Sequence, residues 1–345
     1  MKLLTMLGLS VAFLSPQGGA PRPAGCGPVG NVQLICGFLG PEDLIAVPGS
    51  NWVIASGMVA PGAITLIDVR DKKTTPLYPS PSLKQQFDRK TYDSCPGPID
   101  PGEKDKFRAH GLALGPSQGS RHTLYVVHHG TRESIEVFQF DAAAAAPALT
   151  WIGCAVPPDP VGLNSVVALP EGGFAATNFQ PRLPPGKAPN VMAGEKNGEL
   201  WEWHTGTGWK IVPGTDASGA NGIEISKDGK WFYMAGWGSQ TFIRISRGLT
   251  PVKRDEVPVG FHLDNLRWGP SGMLIGAGQE LPATGGFAMA ISHVIKIDPT
   301  TMKVQELIRY PYNEAFNTAT GAIQVGKEIW VGSVVGDRIA RFPAP

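Results

Sequence analysis

The sequence predicts an all-β fold, a six-bladed β-propeller of four-stranded blades, and three observations carry that expectation. Glycine (44 residues) and proline (32) together make up about a fifth of the 345-residue chain. That level suits many short strands joined by turns and is too high for a helical protein. Apolar residues alternate at period two in short runs bounded by Pro-Gly, Asp-Gly or Ser-Gly, which is the mark of β-hairpins. One unit, a polar residue followed by such a hairpin, recurs six times, and radial closure of repeats of this kind removes exposed sheet edges.

The first copy runs from Glu42 through Val47 and returns over Trp52 to Gly57. The second runs from His110 to Pro116 with Thr123 to Val127, and the third from Asn164 to Pro170 with Gly173 to Asn178. The fourth, Asn221 to Gly229 with Lys230 to Ala235, has the clearest alternation. The fifth is Asp264 to Gly272 with Met273 to Gly276, and the sixth is Thr320 to Gly326 with Lys327 to Gly332. Successive copies start 43 to 68 residues apart, room for one four-stranded sheet each. Further strands are expected at Ala63–Val69, Ser134–Phe140, Glu199–His204, Phe242–Ser246 and His293–Asp298. After the sixth hairpin, Asp337 to Phe342 supplies another strand, and part of the N-terminal region has to complete the ring. The Pro/Ser-rich stretch Thr74–Lys106 reads as a surface loop, and the alanines at 142–146 as a turn too short to stand as a helix.

Residues 21–345 are thus expected to form one domain. Residues 1–20 read as an export signal: Lys2, an apolar stretch from Leu3 to Leu14, then small residues up to Ala20. A stretch of twelve residues is too short to span a bilayer, so the expected location is secreted or periplasmic. The four cysteines, Cys26, Cys36, Cys95 and Cys154, form neither a CxxC pair nor a zinc spacing, and in an exported chain an even number points to disulfides. Three pairings are open, with Cys95–Cys154 favoured. A net charge of +1 without a basic run argues against nucleic acid or an anionic membrane as partner.

The polar residue that opens each repeat matters for function. Innermost strands run along a propeller's axis, so residues at the same end of each strand point to one place. Those residues are Glu42, His110, Asn164, Asn221, Asp264 and Thr320. Singly, an Asn or Asp before a strand is a turn residue; six in register converge. The carboxylates of Glu42 and Asp264 and the amides of Asn164 and Asn221, with Asn265 adding an oxygen, suit one hard divalent cation such as Ca²⁺. His110 opens the second inner strand and His129 closes its hairpin partner, so the two are expected to meet as a proton-handling dyad.

These stretches resemble the paraoxonase/arylesterase family, within the wider group of calcium propellers that includes gluconolactonases and regucalcin. The likeness lies in Glu42-Asp43-Leu44, Phe107-Arg108-Ala109-His110-Gly111, Val126 to His129, Leu163 to Ala168, Ala220 to Lys230 and Leu263-Asp264-Asn265, in the family's order. The resemblance implies a six-bladed propeller. It also implies a catalytic calcium on Glu42, Asn164, Asn221, Asp264 and Asn265, a His110–His129 dyad, and hydrolysis of lactones and aryl esters. The family's second, structural calcium uses the acidic residue after the third-blade asparagine; here Ser165 stands there, although Asp43 is kept. Gln279 stands where the family carries a further histidine, and the loops Gln180–Lys196 and Gln279–Met289 share little with it. Two other readings are a non-catalytic, calcium-stabilised propeller that binds ligands or partners, and a strictosidine-synthase-like condensation, whose family lacks the full metal set.

Overall fold

The computed structural model describes residues 25–345 apart from 185, 188 and 285; the expected export signal lies outside them. Six sheets follow one another along the chain, and their inner strands contact their neighbours in sequence, with the first also touching the last. The protein is a six-bladed β-propeller. The inner strands are Leu44–Ala46, Arg108–Leu114, Leu163–Ala168, Ala220–Ile225, His262–Trp268 and Ala319–Val325, for blades 1 to 6 in order. The ring closes by exchange of its ends: Gln33–Cys36 pairs antiparallel with Arg338–Pro343 as the outermost strand of blade 6. Disulfides join Cys26 to Cys36, beside this closing strand, and Cys95 to Cys154 in blade 2. Among the described residues no helix is long and apolar enough to cross a membrane.

The stretch expected to be a surface loop from Thr74 to Lys106 is partly structured. Thr74–Tyr78 is the fourth strand of blade 1, pairing with Ile64–Asp68, and Lys84–Gln85 adds a fifth, parallel edge strand to blade 2. Pro76 and Pro79 hide this strand from a pattern-based reading, because proline donates no ladder hydrogen bond and is tolerated only near an edge. The rest of the stretch is pinned by Tyr92, which stacks on Trp203 at 5.3 Å. Between blades the core is close-packed aliphatic and aromatic surface, including Tyr78 against Phe107 at 4.3 Å and Tyr125 of blade 2 against Phe174 of blade 3 at 5.1 Å. Each such buried side chain contributes roughly 1.5–3 kcal/mol.

One irregularity recurs around the ring and sets up the site. In blades 2 to 6 the inner strand gains one residue against its neighbour at the same place: between Ala109 and Leu112, Leu163 and Val166, Ala220 and Ile223, Leu263 and Leu266, and Ala319 and Ala322. A β-bulge bends the strand and re-aims its side chains. The bulged positions are His110-Gly111, Asn164-Ser165, Asn221-Gly222, Asp264-Asn265 and Thr320-Gly321, with Glu42-Asp43 in the equivalent place in blade 1. The second position therefore alternates between a side chain in blades 1, 3 and 5 and glycine in blades 2, 4 and 6. The reason is crowding at the axis. A Cβ on Gly222 would lie 2.3 Å from the Asp264 carbonyl oxygen and 2.6 Å from Asn265 Cα; one on Gly111 would lie 2.6 Å from the Asn164 carbonyl. Each even blade yields the space that the backbone of the next odd blade occupies. Gly222→Ala is expected to destabilise the fold by about 2–3 kcal/mol, whereas Gly27→Ala, with nothing within 4 Å of its added Cβ, leaves stability unchanged. Equal denaturant midpoints for the two variants would refute this account.

Candidate functional site

The six residues expected to converge are all buried at the start of their inner strands. Glu42 stands at the centre of their contacts. Its Oε1 accepts from Asn265 Nδ2 at 2.6 Å, its Oε2 lies 3.6 Å from His110 Nε2, and its backbone carbonyl accepts from Thr320 Oγ1 at 2.6 Å. Thr320 thus ties blade 6 to blade 1 rather than offering a free donor. Asp264 Oδ2 accepts from Gln279 Nε2 at 2.7 Å. The same amide donates to the Ala319 carbonyl at 2.7 Å and accepts from Trp237 Nε1 at 3.1 Å. Gln279 therefore holds Asp264 in place from behind.

Four oxygens of this group are buried without any hydrogen-bond partner: Glu42 Oε2, Asn164 Oδ1, Asn221 Oδ1 and Asn265 Oδ1. An orphaned buried acceptor costs about 1–3 kcal/mol, and four together, drawn from four blades, call for a shared positive partner. Electrostatics point the same way. Burial and the nearby Glu42 carboxylate hold Asp264 well above the usual carboxylate range. Burial disfavours charge on His110, yet Glu42 and the neighbouring aspartates outweigh it and raise its pKa. Two carboxylates and three amide oxygens fit a hard cation that takes six to eight oxygen ligands. Among the described residues no three His, Cys, Asp or Glu side chains group as metal ligands, so the donor set depends on its amides.

Asp43 has a different environment. Its Oδ2 accepts from the backbone of Leu112 at 2.7 Å and from the Arg267 guanidinium, and its Oδ1 accepts from Leu44 N at 2.8 Å. Arg267 also donates to the carbonyls of Leu44 at 3.2 Å, Leu112 at 2.8 Å and Leu266 at 2.9 Å. A guanidinium from blade 5 thus reaches across the axis to blades 1 and 2. It supplies the positive charge that a second metal beside Asp43 would have brought, and Ser165 offers only a hydroxyl, so these residues do not fit a second metal.

The histidines meet as their hairpin positions require. His110 Nδ1 lies 2.8 Å from His129 Nε2, and His129 Nδ1 lies 2.9 Å from Glu133 Oε2. The other carboxylate oxygen of Glu133 accepts from Leu163 N at 2.6 Å. Glu133 was not anticipated; its only sequence signal is its place four residues after His129 in the turn. These bonds assign the tautomers: His129 donates from Nδ1 to the carboxylate, His110 donates from Nδ1 to His129, and His110 Nε2 is left as an acceptor. His128 takes no part. It is fully buried and stacks on Phe107 at 4.7 Å, and burial, with His129 nearby, pushes its pKa down from 6.5 to about 3. The unfolded chain binds that proton near pH 6.5 and the folded chain only near pH 3. Stability therefore falls as pH drops through this window, by up to about 1.4 kcal/mol per unit from this group. His128→Phe should flatten that part of the curve in denaturant titrations across pH; parallel curves for the two proteins would contradict it.

No family model and no curated protein matches the chain. Among solved structures it is similar to a luciferin-regenerating enzyme (16% identity, TM-score 0.56, covering 91% of this chain and 95% of that one). It is also similar to a gluconolactonase from Xanthomonas campestris (15%, TM-score 0.55, 96% and 99%) and to virginiamycin B lyase from Staphylococcus aureus (15%, TM-score 0.50, 91% and 99%). At these identities the likeness is one of fold. The paraoxonase/arylesterase resemblance is carried by the residues quoted above and not by these names.

Proposed function

We propose that this chain is a calcium-dependent hydrolase of lactones and aryl esters, working at the axial cluster of Glu42, Asn164, Asn221, Asp264 and Asn265 with His110 and His129. The observation that carries the reading is the hydrogen-bonded chain Glu133–His129–His110, which ends 3.6 Å from a carboxylate oxygen that no donor satisfies. When bound by those five residues, calcium supplies a Lewis acid that polarises an ester carbonyl and stabilises charge on its oxygen. The remaining work belongs to the protein. His110 Nε2 takes the proton of an attacking water, and His129, oriented by Glu133, accepts the proton leaving His110 Nδ1. Burial of the cluster excludes bulk water and strengthens these interactions. Similarity to a gluconolactonase fold supports a small-molecule lactone as substrate, whereas a lyase on the same scaffold leaves the chemistry to be argued from the site. Two disulfides among the described residues support an extracellular or periplasmic setting.

The test is turnover of phenyl acetate and a panel of γ- and δ-lactones, with calcium or with chelator. Chelator-sensitive hydrolysis is expected, with kcat lowered 10²–10⁴-fold in His110→Gln while calcium binding is retained. Absence of turnover on every substrate, together with calcium-dependent melting, would replace this reading with a non-catalytic calcium-stabilised propeller.

A further inference from the structure

The inner strands run from the candidate site to the opposite face, where the far ends of those of blades 1 to 5 line a cavity of about 500 Å³. This volume is within the usual range for small-molecule sites. Its walls include Leu112, Leu114, Val167, Ile225 and the indole of Trp268, and its polar lining is Glu224, Arg267, Ser226 and Lys227. Arg267, on the cavity wall, is tied to Asp43 on the axis, and neither His110 nor His129 lines the cavity.

Glu224 sets the chemistry of the cavity. Its side chain is only 12% exposed, and among the described residues no side chain donates a hydrogen bond to it. Its nearest cation is Arg267 Nη1 at 3.8 Å, but that guanidinium is already engaged with Asp43 and three backbone carbonyls. Two carboxylates therefore share one guanidinium, and Glu224 is the one carboxylate on the cavity lining; the other cation there, Lys227, is exposed and its charge is screened by solvent. Trp268 is fixed beside it. Its Nε1 donates to the Ile225 carbonyl at 2.9 Å and its ring meets Tyr233 edge-on at 5.7 Å. A carboxylate and a fixed indole on one apolar cavity are the two groups that recognise an ammonium, by ion pairing and by cation–π attraction.

We propose that this cavity is a second small-molecule site, for a compact organic cation: a protonated amine on an apolar body. The ammonium pairs with Glu224 against the face of Trp268, and the body replaces water along Leu112, Val167 and Ile225. The proposal does not rest on the hydrolase reading, since the cavity shares no residue with the histidine site.

The test uses benzylamine and its neutral counterpart benzyl alcohol, titrated calorimetrically into the full chain. Burial pushes the Glu224 carboxyl up to about 7, so the titrations are run on the alkaline side of that value, where both Glu224 and the amine are charged. Saturable benzylamine binding, at least about tenfold tighter than benzyl alcohol, is expected. Glu224→Gln should bring benzylamine down to the level of the alcohol, and Leu114→Arg, which fills the cavity and places a cation in it, should abolish binding of both. Equal affinity for the two probes, no saturable binding, or undiminished benzylamine binding in folded Glu224→Gln would overturn the proposal.

Discussion

Glu42→Ala is expected to weaken calcium binding by at least about 100-fold and to abolish chelator-sensitive turnover. Loss of a residue that only supports a metal ligand lowers affinity some 10–100-fold, and Glu42 would be a direct ligand. It is the one side chain that contacts both the amide of Asn265 and the ring of His110. Removing it withdraws one of two carboxylates from a set otherwise made of neutral amides. It also relieves the repulsion that, added to burial, holds Asp264 well above the carboxylate range. The variant should therefore be as stable as the parent, or more stable, when both are metal-free, and less stable when calcium is added. Calcium titration calorimetry and melting with and without calcium read the two effects separately. An unchanged calcium affinity would remove Glu42 from the cage and with it the proposed site.

Arg267→Met is expected to cost about 3–5 kcal/mol of stability, because it leaves the Asp43 carboxylate buried beside Glu42 without its cation. Asp43 is fully buried, and even with Arg267 present burial pushes its carboxyl up to about 6. The substitution also orphans the carbonyls of Leu44, Leu112 and Leu266. Asp43→Asn combined with Arg267→Met should lose less than Arg267→Met alone, since the uncompensated charge is gone. Denaturant titrations of the four proteins complete the cycle. A loss below about 1 kcal/mol in Arg267→Met would show that the guanidinium is dispensable on the axis.

Much of this architecture was legible from pattern alone. Period-two alternation with a glycine-containing turn marks all six inner hairpins, three of them by Pro48-Gly49, Asp228-Gly229 and Ser271-Gly272, and the polar residue before each marks the axial end. The Gly after His110, Asn221 and Thr320 is the one-dimensional trace of the alternating bulge, although its meaning needs the neighbouring blade, whose backbone a Cβ would strike. The edge strand Thr74–Tyr78 was not legible, because prolines and polar residues give it no alternation. Gln279 stood out only as a departure from a resemblance; its role in holding Asp264 comes from three hydrogen bonds to groups far along the chain.

The sequence by itself determined the fold class, the blade count and the six residues that open the inner strands, because short-range periodicity and turn chemistry act locally and repeat. It also placed His110 and His129 near each other, since hairpin register is a local property. Only the tertiary structure decided what those residues face. The bridge from Arg267 to Asp43 across 224 residues and the unpaired oxygens drawn from four blades exist only once the ring is closed. Ring closure brings distant charges into one desolvated channel, where pairing rather than propensity sets each group's state.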